Sequence, residues 1–312
     1  MISTLRAFIR LGYICLIIIS CYFATMCLQI FVRTYAFCGK HIFFLKPFYC
    51  PKRWSIRIQH MQLAYIRFYS WIFCQAMNVK IKVYRYDCNK SYLDENNLTP
   101  SSRKELLQYF PSHKNTSNKK VLVQSNHVSF LDVLLIGSVA NVSFLAKQEV
   151  QSWPILGRMI GWAGIHFVNR NSVYSRIRAL MKMKSSLQTM PFCLFPEGTT
   201  TDSTIPVYGK WKSGNIWAMN KKQPLSYHSF TIIPMSICYQ DTKDNAWIGE
   251  TTFVQLLYRI VKRSHTSVKV IWSTIDPAQI PSAYLRQQSL YIFSRITAQC
   301  LAGHKAYQDE RL

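Results

Sequence analysis

The sequence predicts a single α/β domain, with a mixed sheet flanked by helices, behind an N-terminal hydrophobic membrane helix. Three observations support this fold class. The chain has 312 residues of which 49% are hydrophobic, residues 11–32 contain no charged side chain, and strand patterns alternate with helical patterns between residues 121 and 273. A chain of this length can bury a sizeable core, and alternating strands and helices are typical of an α/β domain.

The first element is the uncharged segment at residues 11–32. A helix of this length can cross a hydrocarbon core of ~30 Å, and it exceeds a typical signal-peptide core. Basic residues are sparser before the segment than after it: Arg6 and Arg10 precede it, and Arg33, Lys40, Lys46, Lys52, Arg53 and Arg57 follow. This asymmetry predicts that residues 1–52 form a membrane segment and that the catalytic part of the chain lies on the cytoplasmic face.

Residues 53–79 are predicted to form a second, amphipathic helix at the membrane interface. Arg53, Arg57, His60 and Arg67 share one helical face, and aliphatic and aromatic side chains cover most of the rest. A basic stripe beside aromatic side chains suits the headgroup region of a bilayer. A core helix with a solvated basic edge gives the same pattern, so the sequence leaves both interpretations open.

Residues 80–312 are assigned to the α/β domain. We expect a strand over residues 79–86 and then a polar insertion at residues 87–120, rich in Asn, Ser and Lys, which forms a loop or is partly disordered. Further strands are predicted at residues 121–123, 142–146, 163–168, 192–195, 231–237 and 268–272, and helices at residues 133–140 and from Ser282 towards Cys300.

A histidine and a carboxylate stand five residues apart, directly after a predicted strand. Asn126 and His127 follow that strand, and Asp132 precedes the helix predicted at residues 133–140. Residues five apart in a continuous helix point about 140° away from each other, so the pair can meet only if His127 precedes the helix and Asp132 lies in its first turn. Asp132 would then accept Nδ1–H and leave Nε2 as a base. A turn in which the imidazole merely caps a helix is the simpler alternative.

A second polar cluster follows the strand predicted at residues 192–195. It contains Glu197, Gly198 and three consecutive threonines that begin at Thr199. Glycine permits close backbone approach, and hydroxyl and N–H groups bind anions or polyols. An ordinary turn has the same composition. Between the two clusters, Arg170 ends a predicted strand, where a guanidinium can grip a phosphate with two hydrogen bonds.

Taken together and in this order, the motifs resemble those of the glycerolipid acyltransferase family, specifically the 1-acyl-sn-glycerol-3-phosphate acyltransferases. The family pattern is Asn-His-x4-Asp, Gly-x-x-Phe-x-x-Arg, Phe-Pro-Glu-Gly-Thr and an apolar strand with an internal proline. The resemblance covers about residues 121–239. Its matches are Asn126, His127, Asp132, Gly164, Phe167, Arg170, Phe195 to Thr199, and Ile232 to Ser236, and Lys147, Lys212 and Gly214 also look like family features.

The resemblance implies a reaction and its catalytic residues. His127 would remove the proton from the free hydroxyl of a lysophospholipid while that oxygen attacks an acyl thioester, and Asp132 would stabilise the imidazolium. The same histidine would protonate the departing thiolate, so no covalent enzyme intermediate is needed. The donor is expected to be acyl-CoA or acyl carrier protein. No cofactor and no metal are expected.

The substrate-binding residues follow from the same resemblance. Arg170, helped by Lys147, would hold the acceptor phosphate, and 1-acylglycerol-3-phosphate would give phosphatidic acid. Gly198 and Thr199 would shape the wall of the site. Glu197 would bond a glycerol hydroxyl or orient Arg170, because a carboxylate repels phosphate.

Two positions depart from the family pattern and leave the acceptor open. Thr200 stands where the family commonly has an arginine, and His166 stands where a small or apolar residue is usual. We interpret His166 as a residue that packs in the core or supports the site residues, outside the catalytic set. A lyso-ornithine lipid, lysophosphatidylcholine or lysocardiolipin acyltransferase would use the same chemistry with a different acceptor pocket.

The charge of the chain restricts its partners. It has 38 Lys and Arg against 14 Asp and Glu, a formal net charge of +24, which draws it to anionic surfaces. We expect anionic membrane lipids as partners and no nucleic acid. A basic non-enzymatic protein that binds membranes or nucleic acid is the alternative from another class. A nucleic-acid-binding protein would leave His127, Asp132 and Glu197 without a purpose and would not need the segment at residues 11–32. Phosphate-binding glycine loops, zinc-binding Cys-x-x-Cys pairs and the Gly-x-Ser-x-Gly motif of serine hydrolases are absent from the sequence.

Overall fold

The centre of the protein is a six-stranded mixed sheet. The computed structural model describes residues 2–41, 51–86, 98–110, 120–187, 189–195, 197–202 and 230–274. The described strands are β1 (Val79–Tyr86), β2 (Leu98–Pro100), β3 (Lys120–Ser125), β4 (Leu145–Lys147), β5 (His166–Val168), β6 (Phe192–Leu194), β7 (Phe230–Tyr239) and β8 (Thr266–Trp272). The order in the main sheet is β2-β1-β8-β7-β3-β6, and β4 and β5 form a separate pair.

The strand directions bring the motif-bearing loops to one edge. β3 is parallel to both β6 and β7, with Val123 opposite Cys193 on one side and Ile233 on the other. β4 is parallel to β5, and a parallel bridge from Ser143 to Phe192 joins the segment before β4 to β6. The carboxyl ends of these strands therefore lie on the same side, where ligands bind in α/β sheets. β8 is antiparallel to β7 and parallel to β1, and β2 is antiparallel to β1, so the predicted mixed sheet is confirmed.

The described helices surround this sheet. They are α1 (Ile2–His41), α2 (Pro51–Ala76), α3 (Arg103–Leu107), α4 (Leu131–Val139), α5 (Gln148–Gln151), α6 (Leu156–Trp162), α7 (Val173–Ser186), α8 (Thr242–Asn245) and α9 (Phe253–Lys262). α4 packs against α2, with Leu131, Leu135 and Ile136 fully buried. A Cβ at Gly137 would lie 2.6 Å from Ser70 Oγ, so glycine is what lets α2 approach α4 closely.

α1 is longer than predicted and is docked on the domain. It extends over residues 2–41 rather than 11–32, and by length and composition it could cross a membrane. One face, including Ala7, Ile14 and Ile17, is buried against the domain, where α1 contacts α2, α6 and α9. The opposite face carries exposed apolar side chains, among them Leu16 and Phe23. α1 therefore has one protein-facing and one apolar solvent-facing side.

α2 has features of both interpretations of residues 53–79. Leu63 and Ile66 are buried in the core, as in a core helix. Arg67 turns back onto the domain and donates a hydrogen bond of 3.1 Å to Asn141 Oδ1. Phe68 and Trp71, however, are exposed, as in an interfacial helix. The contact of α2 with the membrane interface stays a prediction.

The polar stretch at residues 87–120 contains more structure than the predicted loop. Within it, β2 extends the main sheet and α3 begins at the N-cap Ser102, whose hydroxyl accepts a hydrogen bond from the Glu105 N–H. Leu106 and Phe110 are buried and hold this segment in the core. The segment as a whole is hydrophilic, so its composition did not indicate that these two apolar residues are buried. The helix predicted from Ser282 lies outside the described residues.

Candidate active site

His127 and Asp132 form the ion pair on which the candidate site is built. His127 lies in the turn after β3, and Asp132 lies in the first turn of α4. Their side chains meet at 2.9 Å between Nδ1 and Oδ2. The carboxylate is fully buried while the imidazole keeps 13% of its side-chain surface exposed. This is the local arrangement that the five-residue spacing required.

Asp132 is held by three further hydrogen bonds. Its Oδ2 accepts the backbone N–H groups of Val128 at 2.6 Å and Ser129 at 2.8 Å. Its Oδ1 accepts the hydroxyl of Tyr239, at the end of β7, at 2.6 Å. Burial and the nearby carboxylate raise the pKa of Tyr239 well above its ordinary value, so this hydroxyl stays protonated and acts as a donor. These hydrogen bonds fix the position of the carboxylate beside His127.

Glu197 and Thr201 hold the backbone of His127. The His127 N–H donates to Glu197 Oε1 at 3.0 Å, and the His127 carbonyl accepts the Thr201 N–H at 2.7 Å. Glu197 Oε2 accepts the Thr201 hydroxyl at 2.6 Å. The imidazole also stacks on Phe195, with ring centroids 4.1 Å apart. The loop after β6 thus fixes the position and tilt of the histidine.

The environment of Glu197 differs from that of a surface carboxylate. The residue is 2% exposed, and this burial raises its pKa above the ordinary value. Its hydrogen bonds to His127 and Thr201 act in the opposite direction. Among the described contacts Glu197 has none with Arg170, so its observed contacts are within the His127 loop rather than with the expected phosphate-binding arginine.

Two further connections tie the loop after β3 to its surroundings. The buried Asn126 side chain pairs with the backbone of Ile237 in β7, through Oδ1 at 2.7 Å and Nδ2 at 3.0 Å. The Trp247 N–H donates to the Val128 carbonyl at 2.8 Å, and the Thr200 hydroxyl donates to the Trp247 carbonyl. Thr200, which replaces the arginine usual in the family pattern, therefore has a structural contact.

Lys147 and Arg170 lie on the same side of the sheet as His127. Lys147 ends β4, and Arg170 follows the paired strand β5. Both side chains are exposed, and the Lys147 ammonium lies 3.1 Å from Glu149 Oε1. Glu149 is also close enough to Arg170 for an electrostatic attraction that lowers the pKa of Glu149, after the larger effects of its own backbone and of Lys147. The two predicted phosphate ligands therefore share a carboxylate neighbour.

The other predicted site residues have distinct environments. Gly198 has a φ of +70°, a conformation that suits glycine, and Thr199 is exposed beside it. His166 bonds the Ser186 hydroxyl at 2.8 Å and stacks near Phe192, in agreement with its interpretation as a packing residue. Pro196, Lys212 and Gly214 lie outside the described residues.

Sequence reasoning missed Tyr239 and Thr201 as members of this site. Tyr239 is separated from Asp132 by 107 residues, and its hydroxyl has no local sequence signal that links it to a carboxylate. In the sequence, Thr201 is one of three consecutive threonines after Gly198, and nothing there distinguishes it from the other two. The strand predicted at residues 231–237 ends two residues before Tyr239, and extending it to the observed end would have placed Tyr239 at the edge where the motifs gather.

Part of the chain is similar to known acyltransferases. Residues 101–238 match the protein family described as Acyltransferase. The chain is 43% identical over 94 residues to a 1-acyl-sn-glycerol-3-phosphate acyltransferase of Neisseria gonorrhoeae, a match that covers 29% of this chain and 34% of the relative. Over 172 residues the chain is 38% identical to a lyso-ornithine lipid O-acyltransferase of Pseudomonas aeruginosa, covering 53% of this chain and 61% of the relative.

The matches span only part of these relatives, between 34% and 61% of their length. Among solved structures, the chain aligns with the crystal structure of the 1-acyl-sn-glycerophosphate acyltransferase PlsC from Thermotoga maritima. The alignment has a TM-score of 0.47 and 16% sequence identity, and it covers 90% of this chain and 97% of that one. The residues that match the Acyltransferase family, 101–238, include both His127 and Asp132.

Proposed function

We propose that this chain transfers an acyl group from an acyl thioester to the free hydroxyl of a lysophospholipid. The observation that carries the proposal is the geometry of His127. Nδ1 is tied to the buried Asp132, and Nε2 has no hydrogen-bond partner among the described residues. A histidine held in this tautomer and still reachable from solvent is suited to take a proton from a hydroxyl.

The reaction consists of one attack and one departure. His127 Nε2 takes the hydroxyl proton as the acceptor oxygen forms a bond to the thioester carbonyl carbon. The tetrahedral intermediate then collapses, the carbon–sulfur bond breaks, and the proton on Nε2 passes to the thiolate. Asp132 stabilises the imidazolium between these steps, and Tyr239 keeps the carboxylate oriented. The donor is acyl-CoA or acylated acyl carrier protein. Proton transfer through His127, with Asp132 beside it, requires no cofactor.

The first acceptor to consider is 1-acylglycerol-3-phosphate. The relative from Neisseria gonorrhoeae is named for it. Arg170 and Lys147 place two cations on the side of the sheet where His127 lies, which suits a phosphate next to the attacking hydroxyl. Gly198 and Thr199 would form the wall beside this phosphate.

A lyso-ornithine lipid is the second candidate, favoured by the charges around Lys147. The Pseudomonas aeruginosa relative with that name matches a longer part of this chain. An ornithine headgroup carries both an ammonium and a carboxylate, and the Lys147–Glu149 pair beside Arg170 presents both signs of charge. The position that is usually arginine in the family pattern is here Thr200, which removes one cation from a phosphate site.

The proposed location is a membrane, with the catalytic domain on the cytoplasmic face. The exposed apolar side of α1 and its capacity to cross a membrane support attachment. The net charge of +24 supports a preference for anionic lipids. The proposed acceptors are themselves membrane lipids, so attachment would bring the enzyme to its substrate.

The first prediction tests the base. His127→Ala should lower the turnover number by ~10²–10⁴ because general-base catalysis is lost, while membrane association stays unchanged. The measurement is transfer of a labelled acyl group, from acyl-CoA and from acyl carrier protein, to 1-acylglycerol-3-phosphate, lyso-ornithine lipid, lysophosphatidylcholine and lysocardiolipin. The preferred acceptor identifies the lipid class.

The matched control is His265→Ala. His265 lies immediately before β8, and its described hydrogen bond is to the neighbouring Ser264. This variant should retain acyl transfer. Near-normal activity of His127→Ala would rule out the mechanism, and an inactive wild-type chain with every acceptor and both donors would rule out the proposed function.

A further inference from the structure

α7 exposes an apolar stripe to solvent. Val173 is 60% exposed, Tyr174 74%, Ile177 45% and Met181 62%. At about 100° per residue these four side chains lie within roughly one quarter of the helix circumference. A surface helix ordinarily turns its apolar residues inward and its polar residues outward, so this stripe is unusual.

The opposite face of α7 already holds the helix on the domain. Ala179, Met183 and Leu187 are buried, and Ser186 bonds His166 in β5. The helix already packs against the domain through one apolar face. The outward stripe is therefore a second apolar face, which the domain does not cover.

Basic residues accompany the stripe without acidic ones. Arg176, Arg178, Lys182 and Lys184 lie within α7, and its 14 residues include no Asp or Glu. Arg178 and Lys182 are exposed along one edge of the stripe, where long side chains can bury their stems and extend their charges towards phosphate groups. Exposed apolar side chains on a helix whose charged residues are all basic match the chemistry of an anionic bilayer surface, where apolar side chains enter below the headgroups and cations contact phosphate.

We propose that α7 is a membrane-contacting helix, which inserts Tyr174, Ile177 and Met181 below the headgroups of anionic lipids. α7 begins three residues after Arg170, so this contact would hold the proposed acceptor site at the level of the lipid headgroups. The proposal rests on the proposed membrane location but not on acyl transfer. It adds a contact within the catalytic domain to the attachment through α1.

Photo-crosslinking of the full chain in phosphatidylglycerol vesicles tests this contact. Ile177 is replaced by benzoylphenylalanine, and the matched control carries the same probe at the exposed Lys243 in α8, which adjoins Asp241 and Asp244. After irradiation, the probe at position 177 should form lipid adducts detectable by mass spectrometry. The probe at position 243 should form at least fivefold fewer.

A charge series tests the anionic partner. Arg178→Gln combined with Lys182→Gln should lower the adduct yield at position 177 by about tenfold or more, because each basic residue near an anionic surface contributes to binding. Lys80→Gln combined with Lys269→Gln, on two exposed strand residues, should leave the yield unchanged. In phosphatidylcholine vesicles, the chain without charge substitutions should give a lower adduct yield at position 177. The two double variants should then give equal yields.

Three outcomes would overturn the proposal: no lipid adduct at position 177 in vesicle-bound chain, equal yields at positions 177 and 243, or adducts to protein instead of lipid. Acyl transfer by the wild-type chain is measured in the same vesicles. Activity without adducts would reject the α7 contact and leave the proposed function intact. Adducts without activity would support the α7 contact and contradict the proposed function.

Discussion

At the scale of single residues, the site depends on a carboxylate whose oxygens are both in use. Asp132 Oδ2 faces His127 and two backbone N–H groups, and Oδ1 faces Tyr239. These donors replace water around the buried carboxylate. The histidine is thereby held by a group that is itself rigidly positioned, which is what a general base requires.

Tyr239→Phe should lower the turnover number. Without the donated hydrogen bond, Asp132 is held less firmly against His127 Nδ1, so kcat for acyl transfer should fall by about threefold to tenfold. The acceptor KM should change little.

The control for this variant is Tyr258→Phe, which removes an exposed hydroxyl from α9. It should leave kcat unaltered. A Tyr239→Phe enzyme with the kcat of the wild type would show that Tyr239 does not position Asp132, and a loss of thermal stability equal to the loss of activity would show that Tyr239 only supports the fold.

Arg170→Lys separates binding of the acceptor from chemistry. Lysine keeps the charge but cannot form two parallel hydrogen bonds to a phosphate, so the KM for 1-acylglycerol-3-phosphate should rise by about tenfold with a smaller change in kcat. The KM of the acyl donor should stay constant. Arg259→Lys, in α9, is the matched control. Unchanged kinetics with 1-acylglycerol-3-phosphate together with lower activity on lyso-ornithine lipid would favour the second acceptor.

At the scale of elements, α1 is joined to the domain by polar as well as apolar contacts. Arg10 donates hydrogen bonds to the carbonyls of Val261 at 3.1 Å and Ser264 at 2.9 Å, and also to the carbonyl of Arg263. These carbonyls lie at and beyond the end of α9, where a cation is favourable for the helix dipole. Farther along α1, the Thr25 and Cys21 side chains contact the Tyr65 hydroxyl of α2.

Arg10→Met should loosen this junction. The substitution keeps an unbranched apolar side chain but leaves the carbonyls after α9 to water, at a cost of about 1–3 kcal/mol for hydrogen bonds to a charged group. The thermal unfolding midpoint in detergent should fall by several degrees. Arg6→Met, one turn earlier, should not lower it, because removing Arg6 relieves repulsion of Arg10. Equal midpoints for the wild type and Arg10→Met would exclude a stabilising contact.

At the scale of the whole molecule, positive charge and exposed apolar surface occur together. The chain carries a net charge of +24, and exposed large apolar side chains are found on α1, α2 and α7. Electrostatic attraction to anionic lipids weakens with salt, whereas burial of apolar side chains in a bilayer does not. The two contributions can therefore be separated by the way in which the protein is released from membranes.

The intact chain should stay with the membrane in high salt and in alkaline carbonate. Its affinity for freshly added phosphatidylglycerol vesicles should fall with ionic strength but not vanish, because α1 contributes apolar contacts that salt does not screen. Sedimentation of membranes followed by immunoblotting provides the measurement, with a known peripheral protein as the release control. Complete release of the chain by salt alone would contradict insertion of α1.

The sequence by itself determined the local features. The spacing of His127 and Asp132 required a turn followed by a first helical turn, and α4 begins at Leu131 accordingly. Apolar runs located most strands because a buried strand must be apolar wherever it lies in the fold. The predicted mixed α/β fold class is confirmed as well, because the order of strand and helix patterns can be read from the sequence alone.

The tertiary structure decided what each polar group faces. Glu197 contacts His127 across 70 residues, Tyr239 contacts Asp132 across 107, and Arg10 reaches Ser264 across 254. Local patterns carry no record of such pairings, because hydrogen bonds between distant residues depend on strand order and helix packing. This is why the sequence placed the histidine and its carboxylate together, whereas only the folded chain showed that Tyr239 and Glu197 hold them and that α1 is docked on α9.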